Sequence, residues 1–197
     1  MLEAVAELHP QLRPYVERAI SSPPAWDVPV ELLRAGMEAE LPEIWGAPDE
    51  VDEVVDLLIP GPAGPLRVRV YRPRSTALLP VLVWFHGGGW VVGSLDSHDP
   101  VCRAIANRAP CVVVSVDYRL APEHPYPAAV EDAWAATEWV AEEALSLGAD
   151  VTKMVVGGDS AGGNLAAVVA LRARDAGLPL AMQALVYPVT DFDLASE

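Results

Sequence analysis

Cysteine is nearly missing from this sequence: Cys102 and Cys111 are the only two among 197 residues. Two cysteines cannot build a disulfide framework, and these two lack the spacing of a metal site. Both are expected to be buried apolar residues. Positive charge is scarce too, with 13 basic residues against 28 acidic ones and a net charge of −15. A surface this acidic repels phosphate backbones and anionic headgroups, which argues against nucleic-acid and membrane-surface partners. Long hydrophobic runs are absent. The most apolar helical stretch, after Ser160, is interrupted by Arg172 and Arg174, well short of a membrane span. Residues 1–4, Met1-Leu2-Glu3-Ala4, carry no basic segment of the kind that opens a secretory signal. The expectation is a cytoplasmic protein without a membrane span.

What is present is apolar. Hydrophobic residues make up 52% of the chain, enough for a sizeable core and too much for disorder. No internal repeat or low-complexity tract occurs. Residues 1–48 read as a helical segment, with two short helical patterns over residues 5–20 and 30–40. The run Ser21-Ser22-Pro23-Pro24 breaks them apart. From residue 49 onward strands take over. Residues 51–59 and 66–71 are β-like, and Arg67-Val68-Arg69-Val70-Tyr71 alternates as an edge or half-buried strand does.

Three later runs, residues 81–85, 111–116 and 154–156, are apolar almost throughout. Strands of that kind are buried on both faces, which points to a parallel sheet. Helical patterns separate them, over residues 98–108 and 128–145, and a further one starts at Ser160. The second is expected to face inward through Val130, Trp134, Thr137, Ala141 and Leu145, the third through Leu165, Val168 and Val169. A last strand is expected at residues 184–187. Alternating strands and helices predict an α/β fold with a mostly parallel, doubly wound sheet.

Two glycine-rich motifs sit at strand ends. In Gly158-Asp159-Ser160-Ala161-Gly162 a serine follows an apolar strand and opens a helix. That is the context of a nucleophile elbow, in which Gly158 and Gly162 must be small because backbones approach closely. A serine there also fits an ordinary helix N-cap, and the pentapeptide alone leaves both readings open. The second motif, His86-Gly87-Gly88-Gly89-Trp90, follows the strand over residues 81–85. A triple glycine can turn backbone N–H groups toward a ligand, as an oxyanion hole requires. The two together, each after a central strand, outweigh the readings of a flexible turn and a simple cap.

With these motifs the sequence resembles the hormone-sensitive-lipase-like family of α/β-hydrolases, which includes many bacterial carboxylesterases. Asp117-Tyr118-Arg119-Leu120-Ala121-Pro122-Glu123, Tyr126-Pro127-Ala128-Ala129 and Tyr187-Pro188 add to the resemblance, which runs from about residue 50 to the end. It implies an α/β-hydrolase core over residues 49–197, and a helical cap segment over residues 1–48, which fit the family more loosely. It implies hydrolysis of short-to-medium acyl esters through an acyl-enzyme on Ser160, with the oxyanion held by the N–H groups of Gly88, Gly89 and Ala161. Gly87 and His86 would shape the loop, and Asp159 would orient the elbow without being the triad acid. Asp117 and Arg119 would tie a strand end to the next loop. The partner implied is a small-molecule ester, with no cofactor and no metal; a dimer is compatible with the family.

One absence cuts across that reading. The chain order of the family's triad is serine, acid, histidine. All four histidines, His9, His86, His98 and His124, precede Ser160. His124 is expected to be structural, His9 and His98 to be solvated or capping. Asp191 and Asp193 read as loop carboxylates, since an acid without a histidine has nothing to orient. Trp26, Trp45 and Met37 read as core residues rather than pocket walls. The expectation is therefore a C-terminally truncated hydrolase, lacking its last strands and inactive alone. A non-catalytic binding protein on the same fold is the alternative, as in the plant gibberellin receptors that resemble this family.

Overall fold

The computed structural model describes residues 8–191, without the side chains of residues 41–43. It divides into two compact units, residues 1–33 and 34–197. The first contains α1 (Arg13–Ser21), which starts with a proline in its first turn, and a 3-10 turn (Ala25–Asp27). The helix expected over residues 5–20 thus begins late, because a proline's missing N–H suits only the first turn of a helix. Residues 5–7 lie outside the described ones. No described residue of this unit is buried. Trp26 is accordingly 85% exposed, contrary to the expected core role. Helix α2 (Val30–Trp45) runs past the expected end, and Trp45 is also exposed; Met37 is half-buried.

The second unit is built on a six-stranded sheet: β1 (Glu53–Gly61), β2 (Gly64–Arg72), β3 (Leu79–Phe85), β4 (Val112–Val116), β5 (Ala149–Asp159) and β6 (Met182–Val186), in the order β1-β2-β4-β3-β5-β6. The pairs β4/β3, β3/β5 and β5/β6 are parallel, whereas β1/β2 and β2/β4 are antiparallel. The sheet is therefore mixed. The antiparallel part follows from a short turn between β1 and β2, which can join only antiparallel neighbours.

Helices α3 (Asp99–Arg108), α4 (Ala128–Glu143) and α5 (Ala161–Ala176) cross between the parallel strands. Alternation along the central strands feeds two cores. Val81, Val83 and Phe85 of β3 face the core shared with α4 and α5, while Leu82 and Trp84 face the one shared with α3 and both cysteines. Cys102 and Cys111 are buried and unpaired, as expected. Complete burial of side chains this size contributes about 1.5–3 kcal/mol each, so the centre of the sheet carries much of the stability.

Helix α4 turns a different stripe inward than expected. Ala129, Asp132, Ala133, Ala136, Thr137 and Val140 are buried, Thr137 alone coming from the expected set. Leu145 lies beyond the helix and is 74% exposed. Small alanines let the helix lie close on the sheet, leaving the bulky Trp134 at the margin of the contact. In α5 the inward residues are Leu165 and Val169, as expected, with Val168 only half-buried.

Candidate active site

The register of the central strands brings the two glycine motifs together. Phe85, the last residue of β3, pairs with Gly158 near the end of β5. Residues 86–90 and 159–161 therefore leave the sheet side by side at its carboxyl edge, where α/β sheets bind ligands. The approach is so close that a Cβ on Gly162 would strike the carbonyl oxygens of Phe85 and His86. One on Gly158 would strike Phe85 and Gly162.

Ser160 occupies the N-cap position of α5 with φ 53° and ψ −115°, and its side chain makes no capping bond. A positive φ in a residue with a Cβ is strained by about 1–3 kcal/mol and persists only where the surroundings impose it. They do so here through the Ser160 N–H, which donates to the Val186 carbonyl at 2.9 Å, and the Ser160 carbonyl, which accepts from Val189 and Asn164 at 3.1 Å each. A mere N-cap would sit in the β region and bond the first turn. This serine does neither.

Beside it, Gly88 and Gly89 have φ of 122° and 60°. A Cβ on Gly88 would collide with the Val92 carbonyl. Among the described residues the N–H groups of Gly88, Gly89 and Ala161 make no hydrogen bond to the chain. Asp159 joins the motifs: its Oδ1 accepts the Gly87 N–H at 3.0 Å, and its Oδ2 fills the place a Cβ on Gly87 would take.

His86 is wholly buried. Its Nδ1 lies 2.7 Å from the Gly87 carbonyl, which only accepts, so Nδ1 carries the proton. The Tyr118 hydroxyl donates to the His86 carbonyl at 2.7 Å, and the two rings stack at 4.3 Å. Burial, with the neighbouring His98 adding to it, pushes the His86 pKa down to about 4. The Nδ1 proton is committed to the Gly87 carbonyl, and the buried Nε2 has no hydrogen-bond partner among the described residues.

The other histidines divide. His9 is exposed, and its Nδ1 accepts the Gln11 N–H at 3.4 Å. His98 is buried, contrary to the expectation that it is solvated, and although it sits at the N-cap position of α3 its side chain does not cap. Its Nε2 lies 3.4 Å from Asp159 Oδ1. His124 has an exposed side chain and lines a cavity of about 460 Å³ with Gly89, Trp90, Tyr126, Asn164 and Val168. That cavity is within the usual size of a small-molecule site and opens at the glycine loop.

Two ion pairs hold the surrounding loops. Arg119 donates to both oxygens of Asp132 through Nε and Nη2 at 2.8 Å each, tying the loop after β4 to α4. Asp117 is half-buried, which raises its pKa, and its N–H donates to Arg67 O in β2. Arg34 of α2 forks onto Glu123 at 2.8 Å and donates to the carbonyls of Val91 and Ala121 at 2.9 and 3.0 Å. That contact, chiefly its hydrogen bond, lowers the Glu123 pKa to about 2. Sequence reasoning missed Arg34 and His98, since neither belongs to a motif.

Asp191 is exposed, and Asp193 lies outside the described residues. Among the described residues no group of His, Cys, Asp or Glu converges as a metal site. No helix among the described residues is long and apolar enough to cross a membrane.

A family model described as the alpha/beta hydrolase fold matches residues 82–197. Esterase LipI of Mycobacterium tuberculosis is 59% identical over 144 residues, covering 71% of this chain and 45% of that protein. Carboxylic ester hydrolase LipN of the same organism is 50% identical over 174 residues, covering 85% of this chain and 46% of that protein. The structure of the hyperthermophilic esterase from the archaeon Pyrobaculum calidifontis superposes with a TM-score of 0.83 at 48% identity, covering 92% of this chain and 58% of that one. The chain spans about half the length of the curated relatives it matches.

Proposed function

Since the chain belongs to the alpha/beta hydrolase fold family, we propose that it forms the nucleophile and oxyanion side of a serine carboxylic-ester hydrolase. The observation that carries this is the strained Ser160, held at φ 53° at a helix N-terminus with its hydroxyl released from capping. Backbone strain of this kind is kept where it serves chemistry.

Ser160 attacks the ester carbonyl. The oxygen, now negative, is received by the N–H groups of Gly88, Gly89 and Ala161, with the α5 dipole adding favourable potential. The tetrahedral intermediate expels the alcohol, and water then cleaves the acyl-enzyme. His86 and Gly87 shape the loop, and Gly158 and Gly162 allow the tight elbow. The substrate is a small ester with a short-to-medium acyl chain, and its hydrophobic arm fits the cavity beside Trp90.

A serine hydroxyl needs a base. All four histidines precede Ser160, against the serine, acid, histidine order of the family's triad, so the base and the acid that orients it are assigned to chain outside the 197 residues. Residues 1–48 are a cap segment and residues 49–197 a catalytic core. The fork of Arg34 onto the loops that bear Val91, Ala121 and Glu123 supports that reading. Two free, buried cysteines favour the cytoplasm as its compartment.

The test is hydrolysis of a short 4-nitrophenyl ester, with Ser160→Ala as the blank. The 197-residue chain is expected to show no turnover above that blank, and a longer chain carrying a downstream histidine to show it. Serine-dependent turnover by the 197 residues alone would overturn the missing base. A longer chain indifferent to Ser160→Ala would overturn the nucleophile.

A further inference from the structure

We propose that His98 is a positioning residue for the glycine loop, acting through Asp159 on the Gly87 N–H. The proposal rests on the reading of that loop as an oxyanion site. Asp159 Oδ1 faces two groups, the Gly87 N–H at 3.0 Å and His98 Nε2 at 3.4 Å. The second contact is longer than an ordinary hydrogen bond, and because a carboxylate oxygen only accepts, it is favourable when Nε2 carries a proton.

The far side of the ring agrees. His98 Nδ1 lies 2.9 Å from Ser97 Oγ, which takes the Ser94 N–H at 2.8 Å and lies 3.1 Å from the Ser94 carbonyl. When the Ser97 hydroxyl donates to Nδ1, the neutral ring bears its proton on Nε2. When it donates to the Ser94 carbonyl instead, Nδ1 donates to Ser97, and Nε2 keeps a proton only as imidazolium. Either state that avoids a lone pair facing the carboxylate turns an N–H toward Asp159. The chain of bonds continues outward, since the Ser94 hydroxyl donates to Glu38 of α2 at 2.6 Å.

The physical need is specific. Asp159 directly precedes the N-cap of α5, where the helix's unbonded N–H groups attract a carboxylate. Rotation toward them would place negative charge where the oxyanion forms and would release Gly87. A second donor on Oδ1, anchored on a different helix, opposes that rotation. His98 is buried and its side chain caps nothing, so the contact with Asp159 is the principal use of its Nε2. The ring acts on the loop.

The test compares His98→Leu, which removes the donor, His98→Gln, whose amide reaches the Nε2 position, and His98→Asn, whose amide falls short. Hydrogen exchange at the Gly87 amide is read by NMR in the 197-residue chain, with Val113 in β4 as internal reference. Exchange at Gly87 is expected to quicken about tenfold in the Leu and Asn variants and to stay near the parent in Gln, as losing about 1.4 kcal/mol of local protection requires. Equal rates in all four proteins, or a Gln variant as fast as Asn, would overturn the proposal; the Gln–Asn pair decides it even where Leu fails to fold. In the longer hydrolase the Leu and Asn variants should lower kcat by about tenfold with KM unchanged, less than the ~10²–10³ for deleting an oxyanion donor outright. Unchanged kcat there would also overturn it. An inactive parent would instead sink the proposed function, leaving the exchange result to judge His98.

Discussion

The two flanks of β5 differ sharply. On one side, β3 is buried from Val81 to Phe85 and packs so tightly against the elbow that Gly162 has no room for a methyl group. On the other, β6 forms the sheet edge, with Met182 at 58% and Tyr187, just beyond it, at 70% exposure. The difference separates what builds the elbow from what borders it. Geometry at Ser160 is imposed from the β3 side by close backbone contact and from the β6 side by a few hydrogen bonds. A bare apolar edge strand is also a template for unwanted pairing.

That contrast can be broken at Gly162. Gly162→Ala is expected to destabilise the chain by about 3 kcal/mol or more, because the methyl meets two backbone carbonyls that cannot step aside. Urea unfolding would read it, and a loss below about 1 kcal/mol would mean the packed side is softer than its geometry.

His86 sharpens the comparison through pH. Its folded pKa is pushed down to about 4 from 6.5. The unfolded chain therefore takes up a proton between those values that the folded chain refuses, and stability falls as pH drops from 6.5 toward 4 and levels off below. The loss is on the order of 3 kcal/mol, and His86→Gln should remove that slope in urea titrations run from pH 7 to pH 4. An unchanged slope in the variant would assign it elsewhere.

The smallest effect belongs to the edge. Met182→Lys should alter stability by no more than about 0.5 kcal/mol while reducing self-association, read by sedimentation. A large loss would show that the edge is structurally occupied.

Much of this was legible in the sequence because it is local. The apolar runs over residues 81–85 and 111–116 announce strands buried on both faces, and both glycine motifs are contiguous. The observed α4 stripe was hidden by its alanines, whose small size carries little weight in a hydrophobic pattern yet allows the closest approach. Trp26 misled for the opposite reason: a large apolar side chain suggests a core that the described residues of its unit do not form. His98 and Arg34 were invisible because their partners, Asp159 and Glu123, are joined to them by chain crossovers rather than by spacing.

The Ser160 N–H rests on the carbonyl of Val186, the last residue of the outermost strand. The elbow is thus hung from the margin of the sheet as well as from its centre. Whatever joins the sheet at β6 pulls on the same peptide that aims the hydroxyl. A displacement of β6 would be passed to Ser160 through one backbone hydrogen bond.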